Sequence, residues 1–163
     1  LNKKKISILE MYVKKKNFHA RYSALKRSYT YKIVNRSAPL SLDVNKAWHI
    51  KSVLNITLIK KAANFLEGTK DFSTFRSSSC GANSPIRTLD KVIVTKRGNR
   101  ITITFKSRSF LQQQVRSMVG CLKLVGEKKW NLKKFKYVMT SKKRENCAPP
   151  APAKGLYFLK ASY

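Results

Sequence analysis

The run Ser109-Phe110-Leu111-Gln112-Gln113-Gln114-Val115-Arg116-Ser117-Met118-Val119-Gly120 decides the fold of this chain. Phe110, Leu111, Val115, Met118, Val119 and Leu122 recur at the spacing of one buried helix face, which predicts a core helix that begins just after a strand and ends near Gly126. Arg116 interrupts that face. A guanidinium keeps its charge, so on an apolar helix it either meets a carboxylate or a phosphate or snorkels to solvent.

Upstream of the helix, Leu89 to Lys96 and Arg100 to Ser107 read as strands joined by Arg97-Gly98-Asn99, a hairpin whose Gly and Asn tolerate positive φ. Arg27, Tyr29, Tyr31 and Ile33 alternate with Ser28, Thr30, Lys32 and Val34, a period of two that places two tyrosines and an arginine on one strand face. Such tyrosines suit a core, and in a basic protein they also suit stacking against a base. Ile6 to Val13 reads as a further strand, and Asn35 to Val53, with Pro39, Trp48 and His49, as a long connection in which His49 is structural. Asn55 can cap a helix running from Ile56 to Leu66, with Gly68 ending it in a left-handed conformation. Asp71 follows directly and suits a turn cap better than catalysis. Ser77 to Pro85 reads as a surface loop.

Downstream, Asn131 opens a shorter amphipathic helix through Leu132, Phe135, Val138 and Met139. Ala148 to Pro152 is extended because of its prolines and leads into a last strand, Leu156 to Tyr163. The order β-β-α-β-β-α-α-β describes a single α+β domain over residues 1–163: an antiparallel sheet with helices on one face.

The 163 residues carry 36 Lys plus Arg against 7 Asp plus Glu, a formal charge of +29. Self-repulsion on that scale favours a polyanionic partner, and counterion release favours nucleic acid. The basic runs, from Lys3 to Lys5 through Lys14 to Lys16 and on to Lys142 to Arg144, are spread along the chain and suggest contact on several sides. A membrane role fits less well, because no apolar run approaches about 18 residues. Cys80, Cys121 and Cys147 are odd in number and widely spaced. With only His19 and His49 beside them, they suggest a reducing compartment, no disulfide framework and no metal site. The start at Leu1 rather than Met suggests that a leader, tag or longer N-terminal portion precedes it.

Six stretches together resemble the tRNA pseudouridine synthase A family. They are Phe18 to Ala24, Arg27 to Tyr31, Gly68 to Arg76 with Cys80, Ser84 to Thr88, Phe110 to Gly120 and Ala151 to Tyr157. The resemblance implies an isomerase that detaches uracil from its ribose and rejoins it through carbon, on uridines of the tRNA anticodon arm, without metal or cofactor. The target base is flipped from its stack. Tyr29 then packs against the base, Arg116 pairs with the essential aspartate and keeps it ionised, and Leu156 lines the pocket. Arg21, Arg27, Arg76, Arg87, Lys106 and Arg108, within or beside these motifs, are the candidates for RNA contact.

The departures carry information too. The family's catalytic aspartate stands in an Arg-Thr-Asp-Ala-Gly motif of its N-terminal half, and that motif is absent from these 163 residues. Asp43, Asp71 and Asp90 have other contexts, and Gln112-Gln113 replaces the usual His-His. Two functions are therefore expected. One is the C-terminal part of a tRNA pseudouridine synthase in a bacterial cytoplasm, not competent without the aspartate. The other is an inert RNA-binding component of a ribonucleoprotein such as an organellar ribosome, in the mitochondrial matrix, with tRNA or rRNA as the partner. A bared sheet edge would be covered by a companion chain, by RNA or by a second copy in a homodimer.

Overall fold

The alternation in Lys26–Asn35 builds the central strand, β1, on which the sheet is assembled. In the computed structural model, which describes residues 6–163, β1 is followed by β2 (Trp48–Ile50), α1 (Ile56–Asn64), β3 (Gly68–Asp71), β4 (Ile86–Arg97), β5 (Arg100–Ser107), α2 (Gln114–Gly126), α3 (Leu132–Thr140) and β6 (Leu156–Ser162). The strand order is β2-β1-β5-β4-β3, and β6 pairs with β1. β5 lies antiparallel along one side of β1, with Tyr29 opposite Phe105 and Tyr31 opposite Ile103. The other side is shared: β6 pairs with the first half, Tyr29 opposite Phe158 and Tyr31 opposite Leu156, and β2 with the end, Ile33 opposite Trp48.

The α+β layering with helices on one face is the expected architecture, but the sheet is mixed because β2 runs parallel to β1. The Asn35 side chain makes that pairing by donating to the carbonyls of Ile50 (2.9 Å) and Ser52 (2.7 Å) and accepting from the Leu54 amide. His49 Nε2 donates to the Arg36 carbonyl at 2.9 Å, a structural role as expected. The expected strand at Ile6 to Val13 does not form. Those residues have no regular structure and Leu9, Met11 and Val13 are exposed, since no neighbouring strand supplies the ladder partners that a lone β-rich run needs. The basic run Lys3 to Lys5 lies outside the described residues.

One face of the sheet and the helices enclose the core. Tyr31, Ile33, Ile101, Ile103, Phe105, Leu89, Val92 and Val94 meet Ile59, Ala62 and Ala63 of α1, Met118, Val119, Leu122 and Val125 of α2, and Phe135 and Val138 of α3. Each large side chain buried this way stabilises by roughly 1.5–3 kcal/mol. Residues of the opposite parity, such as Thr30, Thr102, Thr104 and Lys106, turn to the other face, where Thr30 and Thr104 hydroxyls meet at 3.0 Å. Both short helices start as the sequence predicts: Asn55 accepts from the Leu58 amide, and Asn131 from the Lys134 amide.

After α3 the chain crosses back over α2. Ala151 donates its amide to the Arg116 carbonyl at 2.9 Å, and a Cβ placed on Gly120 would stand 2.2 Å from the Pro149 carbonyl oxygen. Only a glycine admits the strap at that distance. The Tyr31 hydroxyl fixes its far end by donating to the Pro152 carbonyl at 2.6 Å.

Candidate RNA-binding and catalytic cleft

Where β1, β5 and β6 meet the start of α2, a cleft of about 880 Å³ opens on the helix side of the sheet. Its lining includes Arg21, Arg27, Tyr29, Arg87, Arg108, Arg116 and Leu156. Seven of the nine residues predicted for the site thus share one cavity. Arg76 and Lys106 do not line it. Arg76 reaches toward the Ala82 carbonyl at the limit of hydrogen bonding, and Lys106 stands on the opposite sheet face because it alternates with buried Phe105.

Tyr29 stands at the centre. Its ring packs edge-on against Phe110 and Phe158, each at 5.2 Å between centroids, which fixes the ring while its hydroxyl makes no hydrogen bond among the described residues. Arg116 occupies the first turn of α2, half-buried, and its Nε donates to the Ala151 carbonyl at 2.6 Å. The strap thereby fixes the inner edge of the guanidinium. Leu156 begins β6 opposite Tyr31, which places it beside both.

The other arginines divide by role. Arg27 donates from Nη1 to the Arg108 carbonyl at 2.5 Å and from Nη2 to the Arg21 carbonyl, so it clips two cleft walls together. Arg87 donates to the carbonyls of Ser84 (2.9 Å) and Ile86 (2.6 Å). Arg21 and Arg108 are exposed. Five guanidinium groups therefore line the cleft, and among the described residues no carboxylate does. Asp71 caps the turn at Ser73, accepting from its amide at 2.8 Å, as expected. Burial pushes Asp71 up, but the hydroxyl and amide of Ser73 and the Lys142 ammonium outweigh that and hold it below the usual carboxylate range. Asp43 pairs with Arg100 at 2.7 Å and Asp90 lies on β4, both away from the cleft.

Sequence reasoning missed the Tyr22, Cys80, Phe110, Gln112 and Gln113 contributions to the lining. Gln113 adopts φ 61°, a left-handed conformation that few non-glycine residues take, and so turns the chain from strand into α2. Backbone amides at Ala82 and Gln112, then the charges of Arg76 and Arg87, hold the Cys80 thiol below its usual range. No group of three or more His, Cys, Asp or Glu side chains among the described residues could hold a metal ion.

An α+β fold with a six-stranded mixed sheet backed by helices is consistent with a pseudouridine synthase domain, and sequence comparison agrees. The family described as tRNA pseudouridine synthase matches residues 62–163. The tRNA pseudouridine synthase A of Pelagibacter ubique is 55% identical over 163 residues, 100% of this chain and 66% of that protein. Those of Rhizobium leguminosarum bv. trifolii and Sinorhizobium medicae are 46% and 43% identical over 159 residues, 98% of this chain and 59% and 64% of theirs. The chain belongs to the tRNA pseudouridine synthase family, and it spans less than two thirds of the length of these relatives. No helix among the described residues is long and apolar enough to cross a membrane.

Proposed function

We propose that this chain supplies the base-holding and charge-stabilising part of a tRNA pseudouridine synthase A acting on uridines of the anticodon arm in a bacterial cytoplasm. The nucleophilic aspartate comes from an Arg-Thr-Asp-Ala-Gly motif outside these 163 residues. The observation that supports this reading is the convergence of Tyr29, Leu156 and Arg116 on one cleft that, among the described residues, is lined by five arginines and no carboxylate. In this reading the flipped uracil lies against Tyr29 and Leu156. The Nη atoms of Arg116, which have no partner among the described residues, meet the incoming aspartate and keep it ionised for attack on the ribosyl or pyrimidine carbon. Arg21, Arg87 and Arg108 take phosphates of the tRNA. The bacterial origin of the matching relatives favours this over an inert component of an organellar ribosome.

The test is to combine this chain with the portion that carries the Arg-Thr-Asp-Ala-Gly motif and to measure pseudouridine in tRNA. Formation of pseudouridine in the anticodon arm, dependent on both portions, is the expected result. Tight co-purification with ribosomal RNA and no isomerisation with any such portion would favour the inert component instead.

A further inference from the structure

Cys121 and Cys147 stand outside the cleft, and no step proposed for the cleft uses them. Cys121 lies on the buried side of α2 and Cys147 at the start of the strap, and their sulfurs are 3.5 Å apart. The contact is not incidental, because the strap is seated at close range by the Pro149 carbonyl over Gly120 and by the Ala151 amide on Arg116. A disulfide needs its sulfurs at about 2.05 Å, so roughly 1.5 Å of approach separates the two states.

We propose that Cys121 and Cys147 form a peroxide-responsive thiol pair that a hydroperoxide converts into an intramolecular disulfide. The two sulfurs have unequal settings. Cys147 is half-exposed, whereas Cys121 is fully buried. Arg144 lies beside the pair, fixed by donating to Ser117 Oγ at 2.8 Å and the Thr74 carbonyl at 3.3 Å. The hydrogen bond from Cys121 holds the Cys147 thiol below its usual range against burial, with help from the Arg144 charge. The same hydrogen bond and then burial push Cys121 up. Cys147 is thus both the more accessible sulfur and the one whose thiolate its surroundings favour, which assigns attack to Cys147 and resolution to Cys121.

The chemistry balances. The Cys147 thiolate attacks one oxygen of hydrogen peroxide and the O–O bond breaks, leaving a sulfenic acid and a hydroxide that takes up a proton as water. Cys121 then loses its proton as its sulfur attacks the sulfenic sulfur; the S–O bond breaks and a second water leaves. Two thiols are oxidised and one peroxide is reduced to two waters. The product closes a ring around α3 and pins the strap whose Ala151 carbonyl holds Arg116. The inference does not depend on the reading of the cleft.

The experiment treats the purified full chain with one equivalent of hydrogen peroxide, alkylates the remaining thiols, digests with trypsin and maps the peptides by mass spectrometry. The expected product is peptide 117–123 joined to peptide 145–154, lighter by two hydrogens than the reduced pair and separated again by dithiothreitol, with two of the three thiols lost to alkylation. In Cys121→Ser, Cys147 is expected to stop at the sulfenic acid and to be trapped by dimedone. Recovery of the two peptides unlinked after treatment that oxidises Cys80 would overturn the proposal, and the wild-type linkage decides it even if the buried variant fails to fold.

Discussion

The two ends of α2 carry charges of the wrong sign for the helix dipole, and they are handled in opposite ways. At the C-terminal end Glu127 faces the negative pole, yet Lys123 and Lys129 lie 2.8 and 3.2 Å away and the Ser52 hydroxyl donates at 2.5 Å. At the N-terminal end Arg116 faces the positive pole with, among the described residues, one carbonyl and no acid. The chain has only seven acids. Five of them, Asp43, Glu67, Asp71, Glu127 and Glu145, are paired with cations elsewhere. The charge with a structural task is compensated inside the chain; the one in the cleft has no such acid among the described residues, which is the difference the proposed function rests on.

The comparison can be broken most sharply at Arg116. When this chain is combined with a portion carrying the Arg-Thr-Asp-Ala-Gly motif, Arg116→Gln is expected to lower the rate of pseudouridine formation by about two to four orders of magnitude, the equivalent of the roughly 3–5 kcal/mol lost when one member of a buried pair is removed. A single-turnover assay on tRNA measures it, and a change of less than threefold would place Arg116 outside the chemistry.

Next in size is Gly120→Ala, which sets a methyl against the Pro149 carbonyl and should destabilise the chain by about 1–3 kcal/mol in urea unfolding while loosening the strap beneath Arg116. An unchanged midpoint would mean that the strap is not tightly seated. Smaller again, Arg108→Ala should weaken tRNA binding and reduce its salt slope by about 1. Lys106→Ala, on the other face of the sheet, should leave both nearly unchanged in filter binding across a salt series.

The mildest effect belongs to Glu127. Burial pushes its carboxyl up, but Lys123, Ser52 and Lys129 more than offset this and hold it below the ordinary value of 4.5. Because the folded value is the lower one, the stability it contributes is present above about pH 4.5 and is lost as the pH falls through the folded value. Glu127→Gln should remove that part of the acid-range slope of unfolding free energy and leave the pseudouridine rate near wild type.

Much of this was legible in the residues. The alternation of β1, the Gly98-Asn99 turn of the β4–β5 hairpin, the Asn55 and Asn131 caps and the apolar stripe of α2 are local signals, and each produced the element it predicted. β2 and β3 were not legible. Trp48–Ile50 is a strand only because Asn35 and the end of β1 offer it partners, and Gly68–Asp71 has no β-forming residue but Thr69 and follows β4 instead. Ile6 to Val13 failed the other way, with β-rich residues and no partner. In the cleft, Arg116 stands out as the charge on an apolar stripe and Tyr29 through the alternation of β1, with their roles implied by motif resemblance, whereas Phe110 reads as core and in fact also braces Tyr29. Lys106 stands outside the cleft, as its parity against Phe105 already implies.

The central claim is that Arg116 was left unpaired for a carboxylate from beyond this stretch of chain. A double-mutant cycle in the complete protein tests it most directly: unfolding free energies of wild type, Arg116→Gln, Asp→Asn in the Arg-Thr-Asp-Ala-Gly motif, and both together. The account predicts that the single effects fail to add by more than about 1 kcal/mol, since each variant removes the same pair. Additivity within about 0.5 kcal/mol would contradict it.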